Sequence, residues 1–337
     1  VQDYGGRNSA QQVSQAEPSL VLSRSGNGFG SDAMRGPVRL DAGGTHSLMT
    51  FSPVSDKSNA NNRDLTRNRT CYSAARLSQA KSHTAGALWG DKRENVKAHW
   101  ECSFGFILSE PTERCEDVYK VSRSFSEAVH THMHRKCSLI GGDGFAFVIR
   151  DDKAESPSAA DVGDHGPGIG YQGLRHSLAV EFDTWHNPEN FEPFGHHIAV
   201  HTNGANPNDA HHDTQLGFSL NVPNITDGDV HIVRISFEPT ASYDHIIAAL
   251  ESGNLKGSTQ KLGHFVSDDL GILSIFVDEM DIPVLTVPLS MGTILRPNHS
   301  TAWIGFTSGT GEAWQAVDIL SWNFSSFSRE GSSESSY

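Results

Sequence analysis

No run of apolar residues in this chain of 337 approaches the roughly 18–20 needed to cross a bilayer, so no membrane span is expected. Basic residues are scarce too: 26 Lys and Arg stand against 40 Asp and Glu, for a formal charge of −14. Phosphate neutralisation needs clustered Lys and Arg, and no such cluster occurs, which makes nucleic acid a poor partner. An acidic balance suits divalent cations instead. Cysteine is limited to Cys71, Cys102, Cys115 and Cys137, with no C-x-x-C pair, so zinc-finger and thioredoxin-like readings lose support. Helical periodicity is nearly absent, apart from a turn at Ile246–Ser252, and no internal repeat is found. No signal peptide is seen, yet the chain opens at Val1 without Met, as expected where a targeting segment has been removed.

What the chain does have is 32 glycines and 14 prolines set between short β-branched and aromatic runs. In Ala98–Leu108, Trp100, Cys102, Phe104, Phe106 and Leu108 alternate with Glu101, Ser103, Gly105 and Ile107, the period of a half-buried strand. Further strands are expected at Gly144–Ile149, Ser177–Asp183, His197–His201, Val230–Glu238, Ile272–Val277, Val284–Pro288, Ala302–Phe306 and Val317–Phe324. Short edge strands are expected at Ser19–Leu22 and Pro37–Leu40. Many short strands between turns mean an all-β sandwich or barrel. Residues 1–17 read as a polar arm, 18–327 as one sandwich, and 328–337 as a Ser-rich tail expected to be disordered. Two stretches interrupt the sheet pattern: 53–86, read as a long loop outside the core, and 109–138, a charged segment with room for one short helix.

Four N-x-[S/T] sequons begin at Asn68, Asn224, Asn298 and Asn323 and point to the secretory route and a secreted or extracellular glycoprotein. That route favours disulfides. The expected pairs are Cys115 with Cys137, which closes a polar loop, and Cys71 with Cys102, one of three connectivities open to four cysteines.

Residues 181–198 carry the chemistry: E-F-D-T-W-H-N-P-E-N-F-E-P-F-G-H-H-I. Period two puts Glu181 and Asp183 on the strand face opposite Val180 and Phe182. Two carboxylates aimed the same way repel, burial raises the cost, and a bound cation removes both problems. Asn187, Glu192 and His197 add oxygen and nitrogen donors. The oxygens suit Ca²⁺, and an imidazole beside carboxylates suits Mn²⁺ or a similar transition metal. The bland alternative is a solvated acidic strand end with His197 an ordinary surface histidine. His130, His132 and His134 alternate and could face a Zn²⁺ or Cu²⁺ ion together, but read better as exposed loop histidines, as do His211 and His212.

This segment resembles the metal loop of the legume-type (L-type) lectins, V-E-[FL]-D-T-[aromatic]-x-N, then an Asp, then H-I. Val180, Glu181, Phe182, Asp183, Thr184, Trp185, Asn187, Glu192, His197 and Ile198 fall in register. The resemblance implies an antiparallel jelly-roll sandwich of the concanavalin A type. It implies a transition metal on Glu181 and His197, with Asp183 and Glu192 bridging to a Ca²⁺ completed by the Trp185 carbonyl and the Asn187 side chain. Glu192 stands where the family usually has Asp, and an extra methylene disturbs an octahedral ion more than Ca²⁺.

G-G-D-G-F-A-F (Gly141–Phe147) resembles the family's A-D-G-[LI]-A-F motif, in which the Asp follows a cis peptide and accepts hydrogen bonds from two sugar hydroxyls; here that is Asp143. Asp164–Leu174 resembles the glycine loop that donates a backbone N–H to sugar, with Gly168 the expected donor. A phosphate loop is disfavoured, since no Lys-Ser/Thr follows. Asn187 is expected to donate its amide to sugar, and Trp185 or Trp314 to stack on it or merely pack. Trp303–Ser326 resembles the family's last strands, which places Gly311, Glu312, Ala313 and Trp314 in the specificity loop and Trp322 and Phe324 in the core.

The function implied is a calcium-dependent lectin that recognises glycans or glycoproteins without catalysis, compatible with a homo-oligomer. Glycoside hydrolases share this architecture, and Glu181-x-Asp183 begins one of their motifs, but Trp185 or His186 occupies the position of the acid. A subunit of an extracellular wall, coat or filament is the remaining class.

Overall fold

Two antiparallel sheets face each other across the large core that the aromatic alternation foretells. The structure is a computed structural model, and it describes residues 20–25, 74–123, 129–152, 155–157, 161–240 and 270–327. The Pro37–Leu40 strand, the Ile246–Ser252 turn, the polar arm and the Ser-rich tail lie outside these residues.

In chain order the strands are β1 (Leu20–Ser25), β2 (Ala75–Ser78), β3 (Ala85–Gly90), β4 (Glu94–Asn95) and β5 (His99–Ser109). They continue with β6 (Thr112–Arg123), β7 (Val129–Ile140), β8 (Gly144–Arg150), β9 (Ser177–Asp183), β10 (His197–Thr202) and β11 (Gln215–Ser219). The last five are β12 (Val230–Glu238), β13 (Gly271–Val277), β14 (Leu285–Leu289), β15 (Thr301–Gly309) and β16 (Ala316–Phe327). One sheet runs β1-β3-β15-β8-β9-β10-β11 with β4 on β15, and the other runs β14-β13-β12-β5-β16-β2.

The expected strands that fall among the described residues are present within a few residues of their expected ends. Two readings are corrected. Residues 53–86 are not all outside the core, because Ala75 and Leu77 on β2 and Ala85 on β3 are buried in the sandwich. These strands are short and rich in Ala and Gly, so the polar residues around them masked the signal. Residues 109–138 hold no helix among the described residues; β6 and β7 form a long two-stranded hairpin in register from Thr112↔Ile140 to Arg123↔Val129. Its charged residues pair across strands, Glu116 opposite Lys136 and Asp117 opposite Arg135, which stabilises an antiparallel pair that buries no face among the described residues. His130, His132 and His134 therefore lie on a strand, not a loop.

Cys115 and Cys137 face each other near the base of this hairpin and are disulfide-bonded. The second expected disulfide does not form: Cys102 is a free thiol buried on β5. Its position among Trp100, Phe104 and Phe106, pointing into the core by period two, makes it a small apolar side chain, and burial pushes its pKa well up. Cys71 lies outside the described residues.

The core is aromatic. Phe104 makes ring contacts with Phe106, Phe145, Phe182 and Phe306, and Phe145 stacks on Phe182 at 4.7 Å across β8 and β9. The back sheet alternates exposed and buried along β12, as a half-solvated sheet should. The front sheet differs: β3, β8 and β9 are buried along their whole length. Its outer face carries a second cluster in which Ile169, Tyr171 and Leu174, from the loop before β9, cover Ala146, Val148 and Ala179. That covering loop buries the polar residues that share this face.

Two measurements test this packing. Phe104→Ala should cost about 3–5 kcal/mol in urea unfolding, because it opens a cavity among four rings; a loss below about 1 kcal/mol would show the site collapses around it. At the start of β12, His231 is bonded to Asp278 at 2.8 Å and Asp227 at 3.0 Å. Burial alone lowers its pKa, but those carboxylates outweigh burial and raise it. The stabilisation is therefore complete below the ordinary histidine value of about 6.5 and fades as pH rises through the higher folded value. His231→Gln should lower Tm more at about pH 5.5 than at about pH 9, and an equal loss at both would contradict the linkage.

Candidate functional site

The site lies where β8, β9 and β10 begin or end together. Asp183 closes β9 and pairs with Gly144 on one side and His197 on the other. Inward-facing Val180 and Phe182 anchor β9 in the core, so Glu181 and Asp183 face the covered outer side, as period two requires. The segment from Thr184 to His196 loops out and returns, carrying Asn187 and Glu192 with a short turn at Pro188–Asn190.

Asp143 is held by its backbone. Its N–H donates to the Gly309 carbonyl, and its own carbonyl accepts from the N–H (2.8 Å) and hydroxyl (2.9 Å) of Thr184. The Gln315 amide donates to that same hydroxyl at 2.7 Å. The Gly142–Asp143 peptide is cis, as the resemblance implies. Gly144 follows at φ +155°, and a Cβ there would lie 2.2 Å from the Phe182 carbonyl, so only glycine fits. The D-G pair is thus a close-packing requirement and not a simple turn.

The Asp143 carboxylate accepts from the Gly311 N–H and the Asn187 side chain. Asn187 therefore turns its amide nitrogen toward Asp143, which leaves its Oδ1 buried without a hydrogen-bond partner, along with Oδ2 of Asp143 and of Asp183. The second N–H of that amide remains for a ligand. Trp185 donates its N–H to Asp183 Oδ1 at 2.7 Å, and its side chain packs beside Gly142. Glu192 accepts from the Asn187 N–H and, at 3.3 Å, from the Asn190 side chain.

The electrostatics are those of crowded, buried acids. Burial pushes Asp143 up to about 7. Burial, then the charge of Glu181, pushes Glu192 up to about 8 against the Asn187 N–H. Asp183 is raised well above the carboxylate range by burial and by the charges of Glu181 and Glu192. Glu181 is the exception: burial raises it, but His201, His197 and His212 outweigh burial and hold it low. Buried carboxylates with partnerless oxygens fit a hard, oxygen-seeking cation. Among the described residues, the only three His, Cys or carboxylate donors within 4.8 Å of one another are Glu113, Cys115 and Cys137, whose sulfurs are already bonded together. No three donors of the site lie that close together.

The glycine loop packs beside Asp143. Gly168 sits inside its turn, with its N–H 3.4 Å from the His165 carbonyl, and it is packed between Asp164 and Gln172. Gly166 lies nearer Asp143, since a Cβ there would be 3.7 Å from Gly311 Cα and 4.0 Å from Asp143 Oδ2, but its own N–H donates to the Thr310 carbonyl at 3.1 Å. In the Gly311–Trp314 loop, Gly311 also accepts from the His83 N–H, Glu312 is exposed, and Ala313 is buried against Gly142. Trp314 is bonded through its backbone to Thr112, which ties the loop to the base of the β6–β7 hairpin. Phe324 is buried, and Trp322 packs against the core half-exposed. Asn224, Asn298 and Asn323 are exposed, and Asn68 lies outside the described residues.

Sequence reasoning missed the residues around Glu181. His201 Nε2 lies 3.0 Å from Glu181 Oε2. His212, expected to be an exposed loop histidine, is buried with its Nε2 3.1 Å from that of His197, because the turn at His212–Thr214 folds back over β10. The H-I-A-V-H spacing signals that His197 and His201 share a face; nothing in sequence signals His212.

A family model of the legume lectin domain matches residues 110–336. The chain belongs to the legume lectin family. As such it is a carbohydrate-binding lectin, with the antiparallel jelly-roll sandwich of that family. Solved structures similar to it include lectin I-B4 from Griffonia simplicifolia in metal-free form, 19% identical, covering 77% of this chain and 90% of that one with a TM-score of 0.45. The Lotus tetragonolobus seed lectin is 16% identical over 77% of this chain and 89% of its own, with a TM-score of 0.46. The exoplasmic/lumenal domain of VIP36, in a Ca²⁺/Man3GlcNAc-bound form, is 14% identical over 77% and 81%, with a TM-score of 0.45. Among the described residues, no helix of this lectin is long and apolar enough to cross a membrane.

The raised carboxyls carry a pH signature. A carboxyl that holds its proton more tightly when folded contributes fully below its ordinary value of about 4, and the contribution is lost as pH rises through the folded value. For Asp143 and Glu192 those folded values are about 7 and about 8. In chelator, Tm should therefore fall between about pH 6 and about pH 9 in scanning calorimetry, and a flat or rising Tm would refute the burial.

Proposed function

We propose that this lectin recognises glycans in a calcium-dependent way and performs no covalent chemistry on them. The observation that carries the reading is the Asp143 carboxylate, fixed by the Gly311 N–H and the Asn187 amide beside acceptor oxygens that have no partner. A Ca²⁺ ion would be held by Asp183, Asn187 Oδ1, Glu192 and the Trp185 carbonyl, with a transition metal on Glu181 and His197. Bound cations would neutralise the buried acids and stabilise the Thr184–His196 loop in one position.

The chain's own residues then do the recognising. Asp143, ionised and already oriented, accepts hydrogen bonds from two adjacent sugar hydroxyls. The free N–H of Asn187 and the backbone N–H of Gly168, only loosely held at 3.4 Å by the His165 carbonyl, donate to sugar oxygens. The Gly311–Trp314 loop, held by Thr112, sets which hydroxyl geometry is admitted. Hydrolysis is not supported: retaining and inverting glycosidases need a second carboxyl positioned across the bond, and Trp185 and His186 stand where the related motif has it. The sequons, three of them exposed, and the hairpin disulfide support a secreted, glycosylated protein. The projecting hairpin, with two unpaired strand edges among the described residues, favours a second reading as a structural subunit of an extracellular assembly.

A glycan array probed with Ca²⁺, with chelator, and with Asp143→Asn tests both. Loss of two charged hydrogen bonds should weaken binding roughly 100-fold or more in the variant, and chelator should abolish the signal. Binding that survives both treatments refutes this site. No signal under any condition leaves the structural reading.

A further inference from the structure

The β6–β7 hairpin forms a two-stranded sheet of its own, so among the described residues each strand has one unpaired edge. Both strands are 12 residues long and pair from Thr112↔Ile140 to Arg123↔Val129 with no bulge. Neither contains a proline. Bulges, prolines and short strands keep an edge from accepting another strand, and this hairpin uses none of them. It also leaves large apolar side chains in water: Val118, Met133 and Leu139 are 43%, 62% and 69% exposed, so a neighbour on the hairpin has apolar surface to cover.

The outer hydrogen-bonding groups can be assigned. Cys115 and Cys137 stand opposite each other with Cα atoms 4.0 Å apart, the closer of the two spacings that alternate along an antiparallel pair. Residues in such a pair turn their N–H and C=O groups away from each other. Alternation then directs outward the backbone groups of Cys115 and Asp117 on β6, and of Met133, Arg135 and Cys137 on β7.

Charge selects the partner. Exposed Glu113, Glu116 and Asp117 make the lower half of β6 acidic, with Arg114 the base among them, 3.7 Å from Glu116. β7 has no acid in its sequence, and Arg135 and Lys136 are exposed near its base. A β7 edge against another β7 therefore sets no acid opposite these bases, and β6 against β6 leaves the basic strand without a partner. A β7 edge against the β6 of a second copy, at the register used within the hairpin, sets Arg135 opposite Asp117 and Lys136 opposite Glu116. The same register brings the outward groups of Arg135 and Cys137 onto those of Asp117 and Cys115.

We propose that the hairpin is a self-association element: the β7 edge of one copy docks on the β6 edge of a second copy and builds a continuous antiparallel sheet. The contact is heterologous, so each copy keeps a free edge for the next and growth passes the dimer. Charge pairing is confined to the lower half, because further out Lys120 stands opposite His132. There it fixes a register that two polar strands would otherwise let slip. The inference rests on the reading of this protein as a subunit of an extracellular assembly and is independent of sugar binding.

The test is sedimentation velocity of the full chain from about 1 to about 100 μM. We expect the mean mass to rise with concentration and pass that of a dimer. Met133→Pro deletes an outward N–H and no bond within the hairpin. It should raise the concentration needed for assembly roughly 10-fold or more, while the Cys115–Cys137 disulfide and glycan binding are kept. Should that variant lose its disulfide, an exchange of the two charged rows decides. Glu116→Lys, Asp117→Arg, Arg135→Asp and Lys136→Glu together keep each charge pair inside the hairpin. The exchanged chain should assemble with itself and exclude native chain carrying a fluorescent label. A native chain that stays monomeric overturns the inference and the assembly reading together. Growth that stops at the dimer, growth unchanged in Met133→Pro, or free mixing of native and exchanged chains overturns the inference alone.

Discussion

Four carboxylates, Asp143, Glu181, Asp183 and Glu192, are buried at one end of the front sheet, none more than 7% exposed. Placing so much like charge out of water is among the costliest things a fold can do, and much of the local structure answers that cost. Glu181 has three imidazoles at hand, Asp143 has a backbone N–H and an amide, and Glu192 has the Asn187 N–H. Asp183, the most enclosed, has one N–H from Trp185 and an oxygen with no partner.

Tolerating this charge requires a rigid frame. The outer face of the front sheet is covered by the Asp164–Leu174 loop, packed through Ile169, Tyr171 and Leu174 on small side chains of β8 and β9. Ala146 and Ala179 leave room for that loop, while Phe145, Phe147, Val180 and Phe182 on the opposite face carry the core. The same loop brings Gly166 against Asp143, so the covering that buries the acids also walls the Asp143 carboxylate on one side. Thr184 and Gln315 extend the frame to β9 and the start of β16.

The β6–β7 hairpin stands outside this economy of burial. Val118, Met133 and Leu139 are exposed on it, the disulfide closes it near the base, and it meets the sandwich through Thr112 at the specificity loop. Thr112 and Trp314 thus tie the base of the hairpin to the Gly311–Trp314 loop.

How much of this was legible in sequence follows from the range of each signal. Period-two alternation is local, so Trp100 to Leu108 on β5, and the facing of Glu181 and Asp183 away from Val180 and Phe182, could be read directly. The metal-loop and D-G motifs are contiguous, and they placed Asp143, Asn187 and Glu192 in one neighbourhood. Contacts set by chain return left no local trace. The burial of His212 on His197, the approach of Gly166 to Asp143 and the free state of Cys102 depend on which segments pack together, and residues far apart in sequence decide that. The same holds for the hairpin, whose strands are stabilised by each other and not by a buried face, so no apolar period marked them. Sequence by itself thus determined the sandwich and the chemistry of its acidic strand; tertiary packing alone decided which imidazoles, glycines and backbone donors reach that strand.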